Sequence, residues 1–258
     1  MSLPLEFVIA IPARRAATRL PDKPLRLLAG RPLIVHVIER AQASTATQIV
    51  VATDDAEIAG LARGAGALAV MTDSAHRSGS DRLAEVAHAL EWLSDAIVVN
   101  LQGDEPLAPV SGIDAVVGAL VASTAPMATL AIPIEDSAEL FAPSVVKVVR
   151  NLRGEALMFS RAPLPWARDA WADGSRMLPG ANLYLRHIGI YAYRAGFLKT
   201  LAQLAPTPLE QAESLEQLRA LEHGYKIAVG IAPEPFPAGV DTPGDLERVE
   251  RLMRARDA

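Results

Sequence analysis

Four cations follow a short apolar run near the start of the chain. Phe7 to Ile11 reads FVIAI, breaks at Pro12, and opens into a segment carrying Arg14, Arg15, Arg19 and Lys23 with no acid before Asp22. A run of this length bounded by a breaker suits a strand covered on both faces, as in a parallel sheet. Parallel sheets bind ligands beyond the carboxyl ends of their strands, so a basic loop in that position would clamp a polyanion such as a phosphate chain. By charge alone it also reads as a solvated loop with its arginines in water.

Two aspartates supply the complementary chemistry. Ala96 to Leu101 reads as another buried strand and ends in Gln102-Gly103-Asp104-Glu105-Pro106. Gly103 lets the backbone turn, and Asp104 then sits where a Mg²⁺ ligand would be placed, a hard cation that takes one or two carboxylates plus substrate phosphates. An ordinary acidic turn has the same appearance. Near the end of the chain, Gly239-Val240-Asp241-Thr242-Pro243-Gly244-Asp245 opens a helix. Thr242 is its N-cap, Pro243 its first residue, and Asp245 completes a capping box, which leaves Asp241 available as a second carboxylate. A basic loop and two such aspartates together fit transfer of a nucleotidyl group.

Other chemistries lack their signatures. There is no GxxxxGK[ST] loop, no zinc spacing among the five histidines, and no nucleophile elbow around Ser78 or Ser160. The chain has no cysteine, which removes disulfides and thiolate metal sites. A net charge of −5 argues against general nucleic-acid affinity. No apolar stretch approaches the ~18 residues of a membrane span, and the N-terminus lacks a basic region before its apolar run. A soluble cytoplasmic protein with small-molecule partners is expected.

The elements that must position these residues alternate as in an α/β fold. With 258 residues, 50% hydrophobic and 21% charged, the chain reads as one domain, 1–258, with a second lobe at about 133–200. Leu33, Ile34, Val37, Ile38 and Ala41 fall on one helical face, and Gln48 to Ala52 is a second strand. Thr53 and the two aspartates after it would cap a helix through Arg63. Gly64 to Ala69 spells GxGxxA, but it follows a helix and precedes the Leu68 to Met71 strand. It therefore reads as a helix stop and turn, since a dinucleotide fingerprint follows a strand and opens a helix. His76 to Arg82, HRSGSDR, leads into a helix on Leu83, Val86, Ala87 and Leu90. Its Ser78, Gly79 and Ser80 would either cap that helix or hold a ligand's polar edge.

From Met127 the alternation loosens. Strands are expected at Met127 to Ile134, Val145 to Val149, Glu155 to Phe159 and His187 to Tyr193, with a long irregular insertion from Ala162 to Asn182. A single helix is expected from Glu210 to His223, burying Leu215, Leu218 and Leu221 and stopped by Gly224. Lys226 to Ile231 forms the last strand, and Leu246, Val249 and Leu252 mark an amphipathic final helix.

The segments PARRAATRLPDKPL, HRSGSDRLAEV, NLQGDEP, SRAPLPW, RHIGIYAYR, SLEQLR and GVDTPGDLERV occur in this order. They resemble the 3-deoxy-manno-octulosonate (Kdo) cytidylyltransferase family over nearly the whole chain. The first segment is shared more widely among sugar nucleotidyltransferases, whereas RHIGIY and LEQLR are more specific. The resemblance implies a GT-A-like, Rossmann-related α/β fold with a mixed, mainly parallel central sheet, and a homodimer formed through the smaller lobe. It implies CMP transfer from CTP to Kdo with Mg²⁺, giving CMP-Kdo and pyrophosphate for lipopolysaccharide synthesis.

By position the resemblance also implies roles. Arg14, Arg19 and Lys23 would hold the triphosphate, and Ser78, Gly79 and Arg82 would lie around cytosine and ribose. Asp104 and Asp241 would hold the metal. Gln102, Arg161, His187, Tyr191, Glu216 and Gln217 would surround the sugar. His187 in a strand also reads as a satisfied core histidine. The family pattern often has glycine where this chain has Asp22, and serine where it has Ala17. Asp22 is therefore expected to face solvent, because an inward acid beside Lys23 would weaken phosphate binding. Two other readings stand beside Kdo cytidylyltransfer: the same fold acting on sialic acid or an amino-Kdo analogue, and a nucleotide-binding regulator on a transferase scaffold.

Overall fold

The computed structural model describes residues 6–16, 20–76, 78–180 and 183–256. In chain order the first half contains β1 (Phe7–Ala13), a 3₁₀ turn (Lys23–Leu25), β2 (Leu27–Leu28), β3 (Arg31–Pro32), α1 (Leu33–Gln42), β4 (Gln48–Thr53), α2 (Ala56–Gly64), β5 (Leu68–Met71), α3 (Gly79–Ala89), β6 (Ile97–Asn100) and α4 (Val110–Val121). The second half contains β7 (Met127–Pro133), α5 (Ser137–Phe141), β8 (Lys147–Arg150), β9 (Ala156–Ser160), β10 (Leu185–Arg194), α6 (Ala195–Gln203), α7 (Pro208–Glu213), α8 (Gln217–Glu222), β11 (Ile227–Ile231) and α9 (Pro243–Arg256).

The main sheet runs β11-β7-β10-β6-β1-β4-β5, with β8 on β10 and β9 on β8. Strands β6, β1, β4 and β5 are parallel, β11 is parallel to β7, and β10 is antiparallel to both its neighbours β6 and β7. The expected mixed, mainly parallel sheet is what the chain forms. Its core lies on both faces, because alternate residues of β1 point opposite ways. Ile9 and Ile11 pack with Ile34, Ile38, Ile58 and Val116, while Ala10 packs with Leu83, Val86, Leu198 and Leu218.

Strand β1 sets the position of any ligand. The chain leaves it to build β4 and β5 on one side, then returns to lay β6 on the other. Loops leaving the carboxyl ends of β1 and β6 therefore diverge and open a crevice between them. The basic loop follows β1, and Gln102, Gly103 and Asp104 follow β6.

Helix and strand boundaries fall close to the expected ones, with one substantive correction. The single helix expected over Glu210 to His223 is two, α7 and α8, separated at Ser214, whose φ of 51° lies in the left-handed region. The two helices fold back on each other through Arg219 and Glu210, whose Nε–Oε2 and Nη2–Oε1 distances are 2.9 and 2.5 Å. Glu222 Oε2 accepts from the backbone amides of Leu209 and Glu210 at the start of α7. Continuous apolar spacing could not reveal this break, because Leu215 within it and Leu218 just beyond it are both buried.

The insertion from Ala162 carries no helix or strand among its described residues. It is held instead by a small aromatic cluster. Trp171 is buried with Ile134, Leu140 and Tyr184, stacks on Tyr184 at 5.8 Å, and donates from its indole to the Met177 carbonyl at 2.8 Å.

Candidate active site

A cleft of about 530 Å³ opens at the divergence of β1 and β6. Arg14 and Lys23 come to it from the β1 loop, Ser78, Gly79 and Arg82 from the start of α3, and Gln102 and Asp104 from the end of β6. Asp241 arrives from the segment before α9 and Glu216 from the turn between α7 and α8. Residues far apart in the chain meet because each stands at the end of an element that converges on the switch point.

Close packing holds the cleft floor. Gly103 passes so near β1 that a Cβ there would lie 2.9 Å from the Pro12 carbonyl oxygen, which only glycine avoids. On the other side, Val240 donates its backbone N–H to the Asp104 carbonyl at 2.8 Å, fastening the Asp241 segment to the β6 loop.

Lys23 sits between the two carboxylates. Its Nζ lies 2.5 Å from Asp104 Oδ2 and 3.0 Å from Asp241 Oδ1. Burial disfavours the charged ammonium, but the attraction of Asp104 and then Asp241 outweighs it and holds the Lys23 pKa above its ordinary value. Glu105 lies behind the pair. Burial, followed by the charges of Asp104 and Asp241, pushes its carboxyl up to about 8, so at pH 7 it is mostly neutral. The carboxylates that meet Lys23 in the cleft are Asp104 and Asp241. Among the described residues no cluster of three or more His, Cys, Asp or Glu is arranged to hold a metal. Two carboxylates converging on one cation suit an ion that completes its shell with water and substrate phosphates, as Mg²⁺ does, and not a structural zinc.

The α3 segment forms the expected cap and also reaches the cleft. Ser78 Oγ accepts from the Asp81 amide at 3.1 Å and so caps the helix, yet Ser78 and Gly79 also line the cleft. Arg82 is fixed by Asp54 Oδ2 at 3.1 Å and by Thr72 Oγ1, with its side chain only 3% exposed. Such anchoring pre-sets its guanidinium instead of leaving it to search.

The sugar-side residues divide. Gln102 and Glu216 line the cleft, and Ser80 Oγ donates to Glu216. Burial raises the Glu216 carboxyl above its ordinary range, with the Ser80 hydrogen bond opposing the rise. Arg161, His187, Tyr191 and Gln217 lie outside the cleft lining. Tyr191 stacks on Tyr193 at 5.8 Å and lies 5.5 Å from His187, ring centre to ring centre. His187 Nε2 is 3.0 Å from Thr129 Oγ1, and Phe159 meets its ring edge-on at 5.1 Å. His187 is therefore a hydrogen-bonded histidine of the packed sheet face in this structure. Gln217 is buried on α8. Arg161 Nε and Nη1 donate to the Glu213 and Pro143 carbonyls at 2.7 and 3.0 Å. Arg19 and Ala17 lie outside the described residues.

Burial pushes the His187 imidazole down to about 3. Its unfolded-state pKa is near 6.5, so between pH 6.5 and 3 the unfolded chain binds the extra proton and stability falls as pH falls, by at most about 1.4 kcal/mol per pH unit. Above pH 6.5 His187 is neutral in both states and adds no further pH dependence. His187→Gln is expected to flatten the pH dependence of urea unfolding in that window; an unchanged slope would mean that His187 stays solvated.

Asp22 is half exposed and turned towards Arg15, whose Nε it meets at 2.8 Å, while Arg15 Nη1 reaches Asp55 and Glu57 at 3.2 and 3.1 Å. Its φ of 57° is a conformation that glycine adopts without strain. Because its charge is matched by Arg15 and screened by solvent, Asp22→Gly is expected to change CTP affinity by less than about threefold. A large gain in titration calorimetry would place the Asp22 charge inside the phosphate site.

Two titratable residues at or behind the cleft escaped sequence reasoning. His76 lines the cleft with Nε2 2.5 Å from Glu85 Oε2, and Glu105 stands behind Asp104. His76 opens the HRSGSDR segment, but its partner Glu85 lies well into α3, and no spacing rule marked the pair.

An α/β sheet with a lysine-bridged carboxylate pair at its switch point suits a nucleotidyltransferase. The family model described as cytidylyltransferase matches residues 8–227, which makes the chain one. The chain is 58% identical over 250 residues to 3-deoxy-manno-octulosonate cytidylyltransferase of Stenotrophomonas maltophilia strain K279a, covering 96% of this chain and 97% of the relative. It is 57% identical over 248 residues to the protein of that name from Xanthomonas campestris pv. campestris strain B100, covering 96% and 88%. Among solved structures it is similar to CMP:2-keto-3-deoxy-manno-octonic acid synthetase complexed with CTP, with a TM-score of 0.88, 42% identity and coverage of 98% and 100%. At 12% identity and a TM-score of 0.63, 4-diphosphocytidyl-2C-methyl-D-erythritol synthase shares the fold, with coverage of 97% and 100%. The chain belongs to the 3-deoxy-manno-octulosonate cytidylyltransferase family.

Proposed function

We propose that the protein transfers CMP from CTP to the anomeric hydroxyl of Kdo, releasing pyrophosphate and supplying CMP-Kdo for lipopolysaccharide synthesis. The observation that carries this reading is the convergence of Asp104 and Asp241 on Lys23 in a cleft that also holds Arg14, Arg82 and Glu216. Arg14, Lys23 and Arg19 bind the triphosphate of CTP and stabilise the leaving pyrophosphate, while Ser78, Gly79 and Arg82 orient the nucleoside. Gln102 and Glu216 face the sugar from the cleft wall, with Arg161, His187, Tyr191 and Gln217 behind them. The hydroxyl oxygen forms a bond to the α-phosphorus as the bond to the pyrophosphate oxygen breaks.

Both substrates are anions, so cations must bring them together. Asp104 and Asp241 are the residues that would hold Mg²⁺, which when bound offsets negative charge on the phosphates and favours the ionised hydroxyl. The test is pyrophosphate release from CTP with and without Kdo, and with and without Mg²⁺, with the product identified by mass. Kdo-dependent release yielding CMP-Kdo is expected. CTP binding without release in the presence of Kdo would sink the reading for this sugar and direct attention to sialic acid or an amino-Kdo.

The same reading makes the protein cytoplasmic, where its nucleotide substrate is made, and a homodimer through the smaller lobe at about 133–200. Supporting the dimer, Leu152, Leu157, Trp166, Met177 and Leu183 are each more than half exposed in that region. Exposed apolar side chains are what such an interface would cover. No helix among the described residues is long and apolar enough to cross a membrane. Leu157→Asp is expected to shift the protein towards monomer in analytical ultracentrifugation; a wild-type chain sedimenting as a monomer would remove the dimer.

A further inference from the structure

The break between α7 and α8 has an identifiable cause outside those helices. In an unbroken helix the Glu213 carbonyl would accept from the amide of Gln217, four residues on. Here it accepts from Arg161 Nε at 2.7 Å. The Glu213 carboxylate is taken by the same strand end, with Oε1 accepting from Ser160 Oγ at 2.5 Å and Oε2 from the Arg161 amide at 2.9 Å. The strand end is itself anchored. Lys147, fully buried, donates to the Arg161 carbonyl at 2.6 Å. Three residues beyond Glu213, the turned chain delivers Glu216 to the cleft, where Ser80 meets it.

We infer that Glu213 is a positioning residue for the acceptor side of the cleft: its carboxylate and carbonyl lock the α7–α8 break onto the end of β9 and so aim Glu216 at the sugar. None of Glu213, Ser160, Arg161 and Lys147, which make the brace, is assigned to the nucleotide, so its loss is expected to fall on the acceptor more than on CTP. A straightened or loosened break would swing Glu216 away from Ser80, and small displacements of a positioning group carry large kinetic penalties. The inference rests on the proposed reading that Glu216 contacts the sugar, and the experiment separates the two.

E213A is expected to raise KM for Kdo by about tenfold or more with CTP affinity within about twofold of wild type, while E213Q, which keeps one acceptor oxygen, recovers most of the loss. S160A removes one donor, leaves the Arg161 contacts in place, and is expected to raise the same KM about threefold. It serves if E213A does not fold. Hydrogen exchange of the nucleotide-free protein gives a readout independent of any sugar. E213A or S160A should speed exchange over 208–222 and leave 97–101 unchanged. An unaltered exchange pattern overturns the brace, as does a KM for Kdo equal to that of wild type, or CTP affinity falling in step with it. Wild-type protein that does not convert Kdo overturns the sugar assignment alone, and the exchange result still decides the brace.

Discussion

Asp104→Asn is expected to lower turnover by about a thousandfold or more while weakening CTP binding by less than about tenfold. The substitution keeps the side chain's size and one oxygen but removes the charge that faces Lys23 at 2.5 Å. CTP retains Arg14, Lys23 and the α3 contacts, so ground-state binding is largely kept. What is lost is one of the two carboxylates that would hold Mg²⁺, and with it the positive charge the ion would supply to the phosphates. Turnover measured by pyrophosphate release, set against CTP affinity from calorimetry at the same Mg²⁺ concentration, separates the two. Equal losses in both would mean that Asp104 serves binding only, and would favour the nucleotide-binding regulator over the enzyme.

Lys23→Met is the second large effect, with kcat/KM for CTP expected to fall about a hundredfold or more. Methionine keeps much of the apolar stem and removes the ammonium that lies 3.0 Å from Asp241 as well as beside Asp104. Without it, two carboxylates confront each other across the cleft in the ligand-free protein, and the phosphate chain loses a cation. The change has opposite signs for the two ligands. The competing ammonium is gone, so a divalent cation alone should bind the nucleotide-free variant more tightly, while CTP binds more weakly. Calorimetry with Mg²⁺ and with CTP in separate titrations reads both signs. Wild-type CTP kinetics in the variant would show that Lys23 merely neutralises the aspartates.

Much of the fold is legible in the chain because short buried strands announce themselves. Phe7 to Ile11, Gln48 to Ala52 and Ala96 to Leu101 are apolar on both faces, and each is a central parallel strand. The caps were equally plain: Asp55 accepts from the Glu57 and Ile58 amides, and Thr242 and Asp245 exchange hydrogen bonds at the start of α9. Helix α4 went unread because VSGIDAVVGALV is apolar nearly all round, which hides the buried stripe of Ile113, Val116, Val117 and Leu120. The α7–α8 break was hidden for a different reason, since the bonds that take up Glu213 come from residues more than fifty positions earlier.

The sequence by itself determined which residues carry charge and where each stands relative to its own element. Arg14 and Lys23 follow a strand, Asp104 follows a glycine in the loop after another, and Asp241 stands just outside a cap. These are local facts, set by backbone geometry and hydrophobic period over a few residues. The tertiary structure decided which of them meet. Crossing the chain from β5 back over β1 to β6 opened the crevice, and antiparallel β10 carries His187 and Tyr191 outside its lining. The strand end after β9 turned Glu216 inward. Contacts of this kind join segments separated by tens to hundreds of residues, so no local pattern records them. They exist only once the sheet order has brought the loop ends within hydrogen-bonding distance.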